Sequence, residues 1–205
     1  VAAGALGLYA TWFSFEQVPE AAKDEGSAAV YDALTEGQGM VIGLGARAGF
    51  AATVCLLIFA AGLFRLVQRR GAGATLALPV LKMAIPASAG AMVISWSLKA
   101  MLAGGMPGGV DEAFYTETDT TVLHLFVDQL QWVPWMGLVI GIGALAVLAL
   151  KERVLPRWIG WVSVVAVVLV SIMTFAFALP YSSGVVAPFW LLVVSLGLFR
   201  TARSS

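Results

Sequence analysis

The run VLHLFVDQLQWVPW (Val122–Trp135) passes without interruption into MGLVIGIGALAVLAL (Met136–Leu150). Counted back from Leu150, the last ~20 residues of this stretch carry no charge, and at ~1.5 Å rise per residue they cross the ~30 Å hydrocarbon core of a bilayer. The outer edge of that core falls near Gln131. Beyond it stand the chain's only histidine, His124, and the carboxylate Asp128. A helix with an apolar body and a polar head is the unit from which the rest of the chain can be read.

Composition agrees. Of 205 residues, 60% are hydrophobic and 12% charged, and the mean hydropathy is +0.91. A soluble globular chain is about 45–50% apolar and about 25% charged. The expected fold class is therefore all-α, a polytopic transmembrane bundle in a single domain. Six apolar runs mark its spans, at about 1–15, 40–64, 75–98, 122–150, 159–179 and 185–199. The first is only ~22 Å long as a helix and begins without Met, so either residues precede Val1 or the helix is short and tilted. No small-x-small cleavage pattern follows it in Val18–Ala22. Between the spans lie two acidic loops, 16–38 and 104–121. Ser27 can cap a short helix over Ala28–Leu34 within the first of them.

Charge sets the orientation. Arg65, Arg69, Arg70, Lys151, Arg153, Arg157, Arg200 and Arg203 flank one set of helix ends. Of the 12 Asp and Glu residues, all but Glu152 lie toward the other. The positive-inside rule then places both termini in the cytoplasm and the acidic loops outside. The expected location is the plasma membrane as a multi-pass protein, of the bacterial inner-membrane kind. Balanced net charge gives no footprint for nucleic acid. The expected partners are membrane lipids and other integral membrane subunits.

Small residues stud the spans, with Gly45-x-x-x-Gly49 and Gly137-x-x-x-Gly141 at the spacing that lets helices approach closely. Contact inside the bundle is the first expectation for both, ahead of a homodimer seam. Cys55 lies in an apolar run, has no second cysteine to pair with, and reads as small apolar filler. No repeat relates the two halves.

The polar residues inside or beside the spans are the candidate site. His124, Asp128, Gln131 and Trp135 fall on one helical stripe by their +4, +3, +4 spacing. His124 and Asp128 are placed to share a hydrogen bond. Glu16, Arg47 and Lys99 reach the same height from the first three spans. Together these form a candidate outer polar layer: Glu16, Arg47, Lys99, His124, Asp128 and Gln131. As structure, the layer is a set of pairs such as Arg47–Asp128 or Lys99–Glu16 that fix helix register. As function, it is the floor of a binding site open to the outside. Pro134 bends its helix and exposes a carbonyl. Lys82 is a candidate charge in the inner half of the third span, between Pro79 and Pro86. It either snorkels to the interface or seeks an acceptor in the bundle.

Nothing indicates a cofactor or a metal. One histidine excludes a bis-His haem and a three-His centre within the chain. No phosphate-binding loop, dinucleotide fingerprint or Gly-x-Ser-x-Gly elbow is present. The glycines of 104–109 follow no strand. The segment Leu155-Pro156-Arg157-Trp158-Ile159-Gly160-Trp161, after a helix ending in Lys-Glu-Arg, resembles the inner loop of uncharacterised bacterial six-helix integral membrane proteins. That resemblance covers about a tenth of the chain and implies a fold but no activity. Three functions stay open, in this order: a non-catalytic subunit or scaffold of a larger membrane assembly; a transporter or channel-like protein for a proton, cation or small solute; a membrane enzyme acting on a lipid or quinone with His124 and Asp128 as acid and base.

Overall fold

The structure is a computed structural model and describes residues 1–14, 18–35, 38–103 and 116–203. Every regular element among the described residues is helical. Five segments are long and apolar enough to cross a membrane: Gly39–Arg69, Ala77–Leu102, Glu117–Leu150, Arg157–Phe177 and Pro180–Phe199. The first apolar run is different. It is a short helix, α1 (Ala2–Leu8), continued by one π-helical turn, Tyr9–Phe13. Two small helices follow, α2 (Glu20–Glu25) and α3 (Ser27–Thr35).

The long elements are α4 (Gly39–Arg69), α5 (Ala77–Leu102), α6 (Glu117–Leu130), α7 (Pro134–Leu150), α8 (Arg157–Phe177) and α9 (Ser183–Arg203). They close a ring. α1 packs on α4, α4 on α5, α5 on α7, α7 on α8, α8 on α9, and α9 back on α1. α7 also touches α9, and it is the innermost member. Its sequence explains why: it is apolar around its whole circumference, as a helix buried by neighbours on several sides must be. Leu138, Ile142, Leu145 and Leu148 are each buried to 1% exposure or less.

Small residues set the closest approaches. Gly45 and Gly49 of α4 are both buried. A Cβ on Gly49 would sit 2.3 Å from Cδ2 of Trp96, and one on Gly45 would meet the Ser14 side chain at 2.0 Å. Gly137 and Gly141 of α7 face Ser88 and Ile85 of α5 in the same way. Both small-x-x-x-small pairs are thus spent on contacts within the bundle.

The LPRWIGW segment makes the corner between α7 and α8. Leu155 is buried, Pro156 precedes the first helical residue, and Ile159 is fully enclosed. The Trp158 ring lies where a Cβ on Gly197 would be, 2.2 Å from it, so α9 comes in close.

Two boundaries differ from the sequence reading. Residues 117–121 are helix rather than loop. Thr116 and Asp119 form a reciprocal capping box, with Asp119 N–H donating to Thr116 Oγ1 at 3.2 Å and Thr116 N–H to Asp119 Oδ2 at 3.1 Å. That closes the first turn and starts α6 at Glu117. The loop 16–38 likewise holds α2 as well as α3. Val18, Val30 and Leu34 gather with Ile42 of α4 into a small apolar cluster of their own, packed by Leu102 and Ala103. The acidic segment is therefore a folded cap over the ends of α4 and α5.

Glu152, the one acid among the basic residues, locks the α4–α5 loop to the α7–α8 loop. Gly73 N–H donates to its Oε2 at 2.9 Å, Thr75 N–H to its Oε1 at 3.0 Å, and the Thr75 hydroxyl also donates to Oε1. Beside it, Arg70 Nη1 donates to the Val154 carbonyl at 3.1 Å. The Thr75 hydroxyl first, then the Gly73 N–H, hold the Glu152 carboxyl below its ordinary pKa range. A carboxylate with a depressed folded pKa adds stability above its unfolded pKa and loses it as pH falls through the folded one. Amide protection at Gly73 and Thr75 should therefore persist from neutral pH down to the ordinary carboxylate range and collapse below it. In Glu152→Gln it should already be weak at neutral pH. Hydrogen exchange followed by mass spectrometry reads both.

Candidate functional site

The site is organised by a missing N–H. Pro134 cannot donate to the carbonyl of Leu130, four residues back, so the helix that begins at Glu117 breaks at Gln131–Val133 and restarts as α7. α5 repairs the break. Ser95 Oγ donates to the Leu130 carbonyl at 3.0 Å, and Ser88 Oγ donates to the Pro134 carbonyl. Ser88, Ser95 and Lys99 lie on one face of α5 by their spacings of seven and four. All three are buried.

Lys99 completes the face. It is 0% exposed. Its Nζ donates to Gln131 Oε1 at 3.0 Å and to the Ala10 carbonyl at 3.0 Å. Gln131, also 0% exposed, sits at the break itself. Ala10 lies in the π-helical turn of the first segment. π-turns are rare, widen the backbone locally and occur at functional sites. Here the turn ends with Ser14 N–H on the Tyr9 carbonyl at 3.0 Å. Ser14 Oγ donates to the same Ala10 carbonyl at 2.8 Å. A single ammonium thus joins α5, the α6–α7 break and the π-turn. Gly45 of α4 leaves the room: a Cβ there would stand 3.2 Å from Lys99 Cε.

The six residues of the expected outer layer do not all meet. Lys99 and Gln131 are in direct contact. His124 is 8% exposed and faces inward on α6 with Thr120 and Val127. Asp128 is half-buried and accepts from Gln129 Nε2 at 2.9 Å. Arg47 is exposed on α4. Among the described residues the expected Arg47–Asp128 pair is not formed, because Arg47 points out of the bundle. Glu16, and with it the expected Lys99–Glu16 pair, lies outside the described residues. Lys82 is exposed on α5 and faces away from the bundle. The stripe His124, Asp128, Gln131 and Trp135 does turn inward, with Trp135 at 1% exposure.

Reading the sequence missed the two serines and the π-turn. The serines had a signal. A proline implies a freed carbonyl four residues earlier, and a polar face on a neighbouring span is the means of satisfying it. The π-turn had none, since its residues, YATWF, do not differ in type from those of an ordinary helix.

Around this centre three aromatic rings mark a boundary. Trp132 stands edge-on to Trp12, with centroids 5.2 Å apart, and to Tyr181 at 6.4 Å. Trp12 and Tyr181 are 46% and 45% exposed. Such rings collect where hydrocarbon meets headgroups. Among the described residues no group of three or more His, Cys, Asp or Glu side chains is placed to hold a metal ion.

Comparison with known proteins adds one relationship. A family model described as a domain of unknown function (DUF4386) matches residues 2–200, nearly the whole chain. No curated protein and no solved structure matches it.

Proposed function

The chain belongs to the DUF4386 family, and from that premise we propose that it is a non-catalytic integral membrane subunit or scaffold of a larger membrane assembly. The observation that carries this reading is the use made of Lys99. Lys99 is enclosed completely and bonded to a backbone carbonyl and a side-chain amide of two other segments. A cation so placed acts as a joint between helices, a structural use of charge within membranes.

In this reading α1 with its π-turn serves as a sixth, short span. Both termini are cytoplasmic and the α2–α3 cap faces outside, in a multi-pass protein of a bacterial plasma membrane. Support comes from charge. Arg65, Arg69, Arg70, Lys151, Arg153 and Arg157 gather at the end closed by Glu152, and the acids of α2 and α3 lie at the other. Its expected partners are other integral membrane subunits and the surrounding lipid.

The test is extraction from native membranes in mild detergent, with cross-linking and mass measurement of the intact particle. The proposal expects a particle heavier than one chain that holds a second membrane protein in fixed ratio. A monodisperse single chain would overturn it. A second reading, a transporter for a proton, cation or small solute, draws on the interruption of α6–α7 beside Lys99, because broken helices near charged residues form solute sites in transporters.

A further inference from the structure

Gln131 and Trp135 each keep a buried donor in reserve. Gln131 Oε1 faces Lys99, and an ammonium can only donate, so the amide orientation is fixed by chemistry and Nε2 must point the other way. That Nε2 has no hydrogen-bond partner among the described residues, and neither does the indole Nε1 of Trp135 one turn later. Both side chains are at least nine-tenths buried. Leaving such a donor unmatched is costly, and two on one stripe at a helix break is an arrangement that calls for an acceptor.

Position narrows the acceptor. α7 has 17 residues, so Gln131 lies ~30 Å from Leu150, at the outer boundary of the hydrocarbon. The Trp135 ring spans from α1 to α9. A Cβ on Gly7 would lie 2.6 Å from its Cη2, and one on Gly184 would lie 3.4 Å from its Cδ1, the carbon bonded to Nε1. Gly184 also abuts Trp132, whose ring belongs to the partly exposed aromatic group with Trp12 and Tyr181. The Trp135 donor is therefore next to an edge-to-face aromatic group whose outer rings, Trp12 and Tyr181, are 46% and 45% exposed, and Gln131 lies one turn before it on the same stripe. Both are buried N–H donors at the edge of the hydrocarbon, where an uncharged oxygen reaches them at far lower desolvation cost than an anionic one.

We propose that Gln131 Nε2 and Trp135 Nε1 are the donors of a binding site for a membrane-soluble molecule bearing a carbonyl oxygen on an apolar body. This goes beyond the scaffold reading and does not depend on it. Two molecules present that chemistry at this depth, a quinone ring and the ester carbonyl of a glycerolipid.

The test uses the full chain with 15N-labelled tryptophan in nanodiscs of diether phosphatidylcholine, a lipid without ester carbonyls. One arm adds decyl-benzoquinone and the other adds dioctanoyl phosphatidylcholine. The Trp135 indole resonance, assigned by its loss in Trp135→Phe, is expected to move downfield and saturate with one of the two probes. The probe that does so identifies the source. Trp161, exposed on α8, should stay in place. Gln131→Leu should raise the half-saturating concentration about tenfold, the worth of one hydrogen bond. If neither probe moves the Trp135 resonance, the donors are met by water or left unmet, and the proposal is wrong. That result needs no variant beyond the assignment, and the scaffold proposal would survive it.

Discussion

Replacing Lys99 by methionine is expected to destabilise the bundle by about 2–3 kcal/mol, the scale of hydrogen bonds made by a charged group. Methionine retains most of the length and the apolar stem, so packing against Gly45 is largely kept. The Ala10 carbonyl still has Ser14. Gln131 Oε1, however, loses the ammonium at 3.0 Å in a fully buried position. The loss is therefore concentrated at the α6–α7 break. Lys99→Arg should not restore stability, because a guanidinium is wider than an ammonium and the stem runs so close to α4 that even a Cβ on Gly45 would stand 3.2 Å from Cε. The thermal midpoint in mild detergent should fall for both variants. An unchanged midpoint in Lys99→Met would show that the ammonium joins nothing that matters.

Gly49→Leu is expected to be at least as damaging. Its Cβ alone would overlap Trp96 at 2.3 Å. The indole cannot retreat, since it is 0% exposed and its Nε1 donates to Thr53 Oγ1 at 3.2 Å. Overpacking of this kind costs about 1–3 kcal/mol or more. The matched control is Gly62→Leu on the same helix. Nothing lies within 4 Å of a Cβ there, so the change should be neutral or slightly stabilising, by up to about 1 kcal/mol from helix propensity. Equal effects at the two positions would mean that the α4–α5 contact is misplaced.

Much of this molecule could be read from its residues. Six apolar runs were expected as spans; five of them are helices long and apolar enough to cross a membrane, and the first is a short helix with a π-turn. Pro134 signalled a break and a freed carbonyl, and both are present. Partner choice between helices was the harder part. Periodicity says that His124, Asp128 and Gln131 share a stripe, and they do turn one way. It cannot say which residue of another helix meets them. The sequence reading therefore gave weight to His124 with Asp128, whereas the contact that joins segments is Lys99 with Gln131. Arg47 and Lys99 looked alike as lone cations in apolar runs. One faces out and the other in, a difference set by the rotation of each helix in the bundle. Glu152 looked like an exception to a charge rule until the loops at 73–75 and 152 were seen side by side. The π-turn at Tyr9–Phe13 left no trace in residue type.

These features share one cause. A helix broken at Pro134 has backbone groups to satisfy, and α5 supplies two hydroxyls for the purpose together with an ammonium that holds the Gln131 side chain at the break. The ammonium also holds the π-turn of the first segment, which is too short to be secured by its own length.

The most direct test of that account is a double-mutant cycle between Lys99 and Gln131, with Lys99→Met, Gln131→Leu and the pair measured by equilibrium unfolding in mild detergent. The predicted result is strong non-additivity, with the double variant less destabilised than the sum of the singles by about 1 kcal/mol or more. Additive effects within about 0.3–0.5 kcal/mol would contradict it, because two side chains that do not interact through Nζ and Oε1 would behave that way.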